Sequence, residues 1–151
     1  MKPLVVLIVS FFLSLLCSKL FTGDWNFLFS GNFAMSIMLL FTALGHFKFS
    51  KGMAMMIPSF IPAKTTLVYV TGIIEVAAAI GLMIPSIRLI TAILLIIFFI
   101  VILPANINAA IRKVDYQKGN TEGPGLTYLY FRVPLQLLLI AWVWYFGIKL
   151  F

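Results

Sequence analysis

An apolar run at residues 65–84 contains a single charged side chain, Glu75, near its middle. The run is as long as a membrane-spanning helix, which needs about 20 apolar residues. A carboxylate near the centre of a bilayer costs roughly 2.5–3.5 kcal/mol or more, so it normally faces a partner inside a helical bundle. The run therefore predicts a spanning helix that turns Glu75 towards other helices.

The two faces of this predicted helix differ in the size of their side chains. Small residues allow helices to approach closely in lipid, whereas bulky aliphatic residues suit contact with acyl chains. We expect the mostly small face that contains Glu75 to be buried and the opposite face to meet lipid. The first face carries Val68, Thr71, Gly72, Ala78, Ala79 and Leu82, and the second carries Val70, Ile73, Ile74, Ala77, Ile80 and Ile84.

Four further apolar runs occupy residues 3–21, 31–47, 87–110 and 126–150. The chain is 63% hydrophobic and only 10% charged, which leaves too few charges to cover a water-soluble domain of this size. The sequence predicts an all-α, polytopic membrane helical bundle with five spans, forming a single domain over residues 1–151. Lys2 before the first run could mark a signal peptide, but no small-residue cleavage site stands out, which favours an uncleaved span.

The basic residues are distributed unequally between the two predicted sides of the membrane. Cytoplasmic loops carry an excess of lysine and arginine, so the richer side predicts a cytoplasmic N-terminus, an external C-terminus and a location in a cell (inner) membrane. The net charge of +7 indicates contact with anionic membrane lipids rather than with nucleic acid. The richer side holds Lys2, Lys48, Lys51, Lys64, Arg112, Lys113, Lys118 and Arg132, and the other holds Lys19, Arg88 and Lys149.

Cys17 is the one cysteine and His46 the one histidine of the chain. An intrachain disulfide, a bis-histidine haem site and a zinc site with several histidine or cysteine ligands are therefore excluded for this chain alone. We predict no metal site and no cofactor bound within the chain.

Prolines interrupt two segments of the chain. Pro58 and Pro62 prevent one continuous helix in residues 49–64, a segment that suits the membrane interface as a plain anchor loop or as a lid over a site. Pro104 removes a backbone donor and should loosen the fourth span around the carbonyl of Ile100.

Several polar side chains enter the predicted bundle from its cytoplasmic half. At a rise of 1.5 Å per residue, His46 lies near the surface, Asn106 about 6 Å in, Arg132 about 9 Å in and Glu75 about 15 Å in. These depths predict that His46 is too shallow to touch Glu75. The candidate intramembrane site consists of Glu75, His46, Asn106, Arg132 and Gln136, and the expected partners of Glu75 are Arg132, Gln136 and a tyrosine such as Tyr69 or Tyr128.

The run from Gly31 to Ala110, roughly half of the chain, resembles the DoxX-like family of small bacterial membrane proteins. The resemblance rests on an ordered set of short motifs, each weak alone. They are Gly45-His46-Phe47, Met56-Ile57-Pro58 with Pro62, Gly72-Ile73-Ile74-Glu75, Gly81-Leu82 with Pro85 and Arg88, and Pro104-Ala105-Asn106-Ile107.

The resemblance implies a four-helix DoxX-like core over residues 31–151, with residues 3–21 as an additional N-terminal span. Family members include relatives of quinone-linked redox subunits as well as membrane assembly factors. Among the positions that match the family pattern, Arg88 is expected to face the outer surface as an anchor.

Two functions remain open. In the first, the chain is a redox subunit whose polar pocket near Glu75, His46 and Asn106 binds a quinone head and relays protons beside a partner redox subunit. That function predicts a cavity reaching Glu75. In the second, the chain is a non-enzymatic membrane scaffold or assembly partner, which predicts a closed bundle with Glu75 fully paired. A transporter is less favoured because no inverted repeat is visible. The sequence does not decide whether the chain is an enzyme.

Overall fold

The computed structural model describes residues 2–151, and the chain folds as an all-α bundle. Five of its helical segments are long and apolar enough to cross a membrane, which confirms the predicted polytopic fold. The helices are α1 (Lys2–Thr22), α2 (Phe27–Lys48), α3 (Ser50–Met56), α4 (Lys64–Met83), α5 (Pro85–Val101), α6 (Leu103–Ile111) and α7 (Thr127–Trp144), which continues as a π-helical turn (Tyr145–Lys149).

Helix α2 lies at the centre of the bundle. It packs against α1 on one side and against α4 on another, while α5 packs against both α4 and α7. The shared core contains the fully buried side chains of Met35, Leu39, Leu82 and Leu95. Helix α1 is the most peripheral of the spans, and it contributes Leu7 to this core.

Helix α4 confirms the prediction made from its two faces. Val68, Gly72 and Ala79 are buried together with Glu75, whereas Ile73 is 59% exposed on the opposite side. The small face packs inside the bundle and the aliphatic face points outward, where acyl chains surround a membrane helix.

The fourth span runs over Pro85–Ile111, as expected for residues 87–110, and a turn of one residue divides it. Helix α5 ends at Val101 and α6 begins at Leu103, with Ile102 between them. Pro104 cannot donate a backbone hydrogen bond to the carbonyl of Ile100, and its ring crowds the preceding turn. The predicted loosening is thus confirmed as a local break at Ile102, through which hydrogen bonds from Ile102 to Phe98 and from Asn106 to Ile102 continue.

The segment after α2 also follows the proline prediction. Helix α3 ends at Met56, just before Pro58, and the chain re-enters a helix only at Lys64. Ala63 takes a left-handed conformation with φ of 51° where α4 starts. Asn108 of α6 donates a hydrogen bond of 2.6 Å to the carbonyl of Met56, so α3 is attached to the broken span.

Arg88 was expected to be a surface anchor, and this prediction is wrong. The residue is buried, with 7% of its surface exposed. Its Nε donates to the carbonyl of Leu82 at 2.8 Å. The last carbonyls of a helix lack partners within the helix, so Arg88 caps the end of α4 from the following helix.

Candidate functional site

Glu75 points into the bundle and meets a histidine from α2. Its Oε1 lies 3.4 Å from Nε2 of His46, and the exposed fractions of the two side chains are 6% and 18%. This is the one contact between acidic and basic side chains found within ion-pair distance in residues 2–151. The structure therefore brings together two of the predicted site residues, Glu75 and His46.

Close packing at Gly72 allows this contact. A Cβ atom added to Gly72 would lie 2.9 Å from Cβ of His46. Helices α2 and α4 can therefore touch here because Gly72 has no side chain. Such approaches are typical of small residues in membrane helices. Glu75 follows Gly72 by three residues and lies on the same helix face, which places its carboxylate beside the imidazole.

The prediction that His46 is too shallow to reach Glu75 is wrong. The depths were counted from the end of each helix, as if both ends lay at one level. In the structure, His46 lies beside Val68 and Thr71, which are already inside α4. Helix α4 therefore begins beyond the level at which α2 ends.

The second ring nitrogen of His46, Nδ1, also contacts residues of α4. Nδ1 of His46 lies 3.1 Å from the carbonyl oxygen of Val68 and 3.0 Å from Oγ1 of Thr71. Thr71 in turn donates its hydroxyl hydrogen to the carbonyl of Val68 at 2.8 Å. The contact between Nδ1 and the carbonyl of Val68 is attractive only if Nδ1 carries a hydrogen, because a carbonyl oxygen can only accept. The hydroxyl oxygen of Thr71 can accept from the same hydrogen while it donates its own to Val68.

This tautomer assigns the role of Nε2. In a neutral imidazole with hydrogen on Nδ1, Nε2 is an acceptor, and a bare carboxylate opposite it would set two lone pairs against each other. One proton must therefore lie between Nε2 of His46 and Oε1 of Glu75. The pair is either imidazolium with carboxylate or neutral imidazole with carboxylic acid.

The second carboxylate oxygen has no such partner. Oε2 of Glu75 is buried, and no hydrogen bond to it is found within the described part of the chain. A buried polar atom without a partner costs about 1–3 kcal/mol, and native structures contain few of them. The carboxylate is thus half satisfied, with Oε1 paired and Oε2 free to accept.

The remaining predicted site residues form a separate cluster at the break between α5 and α6. Arg132 donates from Nε to Oδ1 of Asn106 at 3.2 Å, and Asn106 donates to the carbonyl of Ile102 at 3.3 Å. Gln136 donates to the carbonyl of Phe99. These side chains bind backbone and each other where the helix is interrupted.

The predicted partners of Glu75 are therefore wrong. Arg132 binds Asn106, Gln136 binds the broken helix, and Tyr69 donates its hydroxyl to Ser50. Tyr128 makes no hydrogen bond to Glu75 among residues 2–151. Helices α5 and α6 both pack against α7, which brings Asn106 and the carbonyl of Phe99 within hydrogen-bond distance of Arg132 and Gln136.

Sequence reasoning placed Thr71 on the face of Glu75 but gave it no role. Thr71 precedes Glu75 by four residues, so its hydroxyl lies one turn away on the same face. A hydroxyl at this spacing before a buried carboxylate is a signal for a residue that orients a partner of that carboxylate.

Two surface depressions lie away from the Glu75–His46 pair. One is lined by Thr22, residues 24–28 and Leu150. The other lies between Leu4 of α1 and residues of α7 that include Pro134. Within the described residues, no group of three or more potential metal-binding side chains is found.

Comparison with known proteins gives one match. Residues 35–147 match a family described as a domain of unknown function (DUF8561). No curated protein matches the chain, and no solved structure matches it. The matched region begins inside α2, includes both His46 and Glu75, and leaves α1 outside.

Proposed function

We propose that this chain, which belongs to the DUF8561 family, is a membrane subunit that exchanges a proton through the His46–Glu75 pair with the polar head of a quinone-type molecule. The chain is a multi-pass membrane protein. The proposal places it in a bacterial inner membrane beside a partner redox subunit. The DoxX-like resemblance remains a prediction.

The half-satisfied carboxylate of Glu75 carries the proposal. A purely structural ion pair in lipid gains most when every lone pair is satisfied, yet Oε2 of Glu75 is buried without a partner. Ionisable residues inside membranes are costly and commonly mark proton or ligand sites. A carboxylate that shares one proton with a histidine, and keeps one oxygen free, has the arrangement needed to pass a proton.

The oriented histidine supports the same role. Val68 and Thr71 hold Nδ1 of His46, which leaves Nε2 as the nitrogen that gains or loses a proton. The imidazole is more exposed than the carboxylate, with 18% against 6% of the side chain accessible. Protons can therefore reach the buried carboxylate through the imidazole, which carries a proton on either ring nitrogen.

Electrons must come from elsewhere. A quinone takes up two electrons and two protons on reduction, and the chain holds one cysteine and one histidine. These cannot supply the ligands of a bis-histidine haem or a four-cysteine cluster. A partner subunit would supply the electrons, and this chain would supply the proton site and the position in the membrane.

A non-enzymatic scaffold is the second candidate function. Two observations favour it: the tight contact at Gly72, and the position of both surface depressions away from Glu75. In this function the His46–Glu75 pair links α2 to α4 and binds nothing else.

Infrared difference spectroscopy separates the two functions. The protein in nanodiscs is titrated across neutral pH, with and without a short-chain quinone, and compared with Glu75→Gln. A Glu75 carboxyl signal that titrates and shifts when quinone is added supports the proton site. A signal that stays constant in both experiments supports the scaffold. Glu122→Gln is the matched control, because Glu122 is exposed in the loop before α7.

A further inference from the structure

The position of the shared proton determines what the free oxygen of Glu75 can bind. Nδ1 of His46 is occupied by its contacts with Val68 and Thr71, so the mobile proton lies between Nε2 and Oε1. It resides on the nitrogen in the ion pair and on Oε1 in the neutral pair. In both cases Oε2 of Glu75 carries no hydrogen and acts as an acceptor.

A buried acceptor requires a donor. Oε2 is shielded within the bundle and lacks a hydrogen-bond partner in residues 2–151. A carbonyl group would place a second acceptor against it, which is repulsive. A hydroxyl group would satisfy it, and hydrogen bonds to a charged acceptor are about twice as strong as neutral ones.

The neighbouring groups do not meet this need. Thr71 already donates its hydroxyl hydrogen to the carbonyl of Val68, and Thr42 donates to the carbonyls of Met38 and Leu39 on its own helix. Arg132 donates through Nε to Asn106, and none of its other N–H groups bonds to Oε2. No donor for Oε2 is therefore found within the described part of the chain.

We propose that Oε2 of Glu75 accepts a hydrogen bond from a ligand hydroxyl, so that the site selects the reduced, quinol form of a quinone-type molecule over the oxidised form. This inference rests on the proposed function and adds the redox form and the contact atom. It concerns binding alone and requires no electron transfer by this chain.

Three probes with the same ring test this selectivity. Tetramethylhydroquinone offers two hydroxyl donors, tetramethylbenzoquinone offers two carbonyl acceptors, and the dimethyl ether of the hydroquinone offers no donor. Binding to the full chain in nanodiscs is measured by calorimetry without oxygen. We expect the hydroquinone to bind about tenfold more tightly than either of the other probes, since only it satisfies Oε2.

Two variants assign the effect to Glu75. In Glu75→Gln, the amide nitrogen can donate to Nε2 of His46, which leaves the amide oxygen at the position of Oε2. This variant should keep the preference for the hydroquinone in weaker form, because its acceptor is uncharged. Glu75→Leu has no acceptor and should bind the three probes equally.

The outcomes distinguish this inference from the proposed function. Tighter binding of the benzoquinone would overturn the inference and leave a quinone site in place. Equal binding of all three probes by the wild type, or a preference that persists in Glu75→Leu, would overturn the inference because the hydroxyl then makes no contact with Oε2. Absence of binding by every probe would overturn both, and would mean that Oε2 is satisfied by buried water only. If Glu75→Leu does not fold, the wild type and Glu75→Gln still decide the result.

Discussion

Gly72 and His46 touch across the interface between α2 and α4. A Cβ atom on Gly72 would lie 2.9 Å from Cβ of His46, which is closer than real side chains pack. Because His46 also reaches Glu75, the size of residue 72 controls the separation of the two helices that make the site. The contact therefore joins the packing of the bundle to the geometry of its buried pair.

Enlarging Gly72 should destabilise the bundle and separate the pair. Gly72→Ala introduces a methyl group that the backbone must move to accept, which costs about 1–3 kcal/mol. Denaturation in mixed detergent micelles measures the free energy of unfolding. Ala77→Val is the control on the same helix, because Ala77 is exposed on the opposite face. A change at Gly72 as mild as that at Ala77 would contradict the close contact.

The His46–Glu75 pair should behave as one unit in a double-mutant cycle. His46→Leu leaves the carboxylate buried without its shared proton, and Glu75→Leu leaves Nε2 without its partner. The double variant should lose less stability than the sum of the two single losses, because the second change removes a group that the first has already left unpaired. We expect a coupling energy of about 0.5–3 kcal/mol, as found for residues in direct contact. Additive single changes would show that the 3.4 Å contact contributes nothing.

Thr71 should matter to His46 through its hydroxyl alone. Thr71→Val keeps the shape of the side chain and removes the oxygen that lies 3.0 Å from Nδ1 of His46. We expect a loss of stability of about 0.5–1.5 kcal/mol and a shift in the His46 ring signals in NMR spectra. Thr71→Ser, which retains the hydroxyl, is the matched variant and should leave the ring signals near their original positions.

Arg88 should stabilise the end of α4 rather than anchor the protein at the membrane surface. Arg88→Met removes the donor to the carbonyl of Leu82 but keeps the apolar stem, so the free energy of unfolding should fall by about 1–3 kcal/mol. Arg112→Met serves as the control because Arg112 is exposed. Equal and small effects of the two changes would restore the interpretation of Arg88 as a surface anchor.

The predicted orientation, with a cytoplasmic N-terminus and an external C-terminus, can be tested with single cysteines. In a Cys17→Ser background, Lys118→Cys reports the loop between α6 and α7, and Lys149→Cys reports the end of the last span. A membrane-impermeant thiol reagent should label position 149 in intact cells and position 118 only after permeabilisation. The opposite pattern would mean that the basic loops face outward, against the usual bias of lysine and arginine.

The features that depend on local chemistry follow from the amino-acid sequence alone. The length of each apolar run specified the spans, because a bilayer demands about 20 apolar residues. The alternation of small and bulky residues determined which face of α4 is buried, with Glu75 inward. Pro104 predicted the weak point of the fourth span, because the missing donor acts within one turn.

Which polar groups meet one another depends on how the helices pack together. The partner of Glu75 depends on how far α4 is displaced along α2, and no single helix records that displacement. The close contact at Gly72 sets this displacement, because a larger side chain at position 72 would occupy the space that His46 fills. Arg132 instead donates to the side chain of Asn106, because α6 packs against α7. Contacts between distant segments compete for the same few polar partners in lipid, so the outcome depends on the assembled bundle.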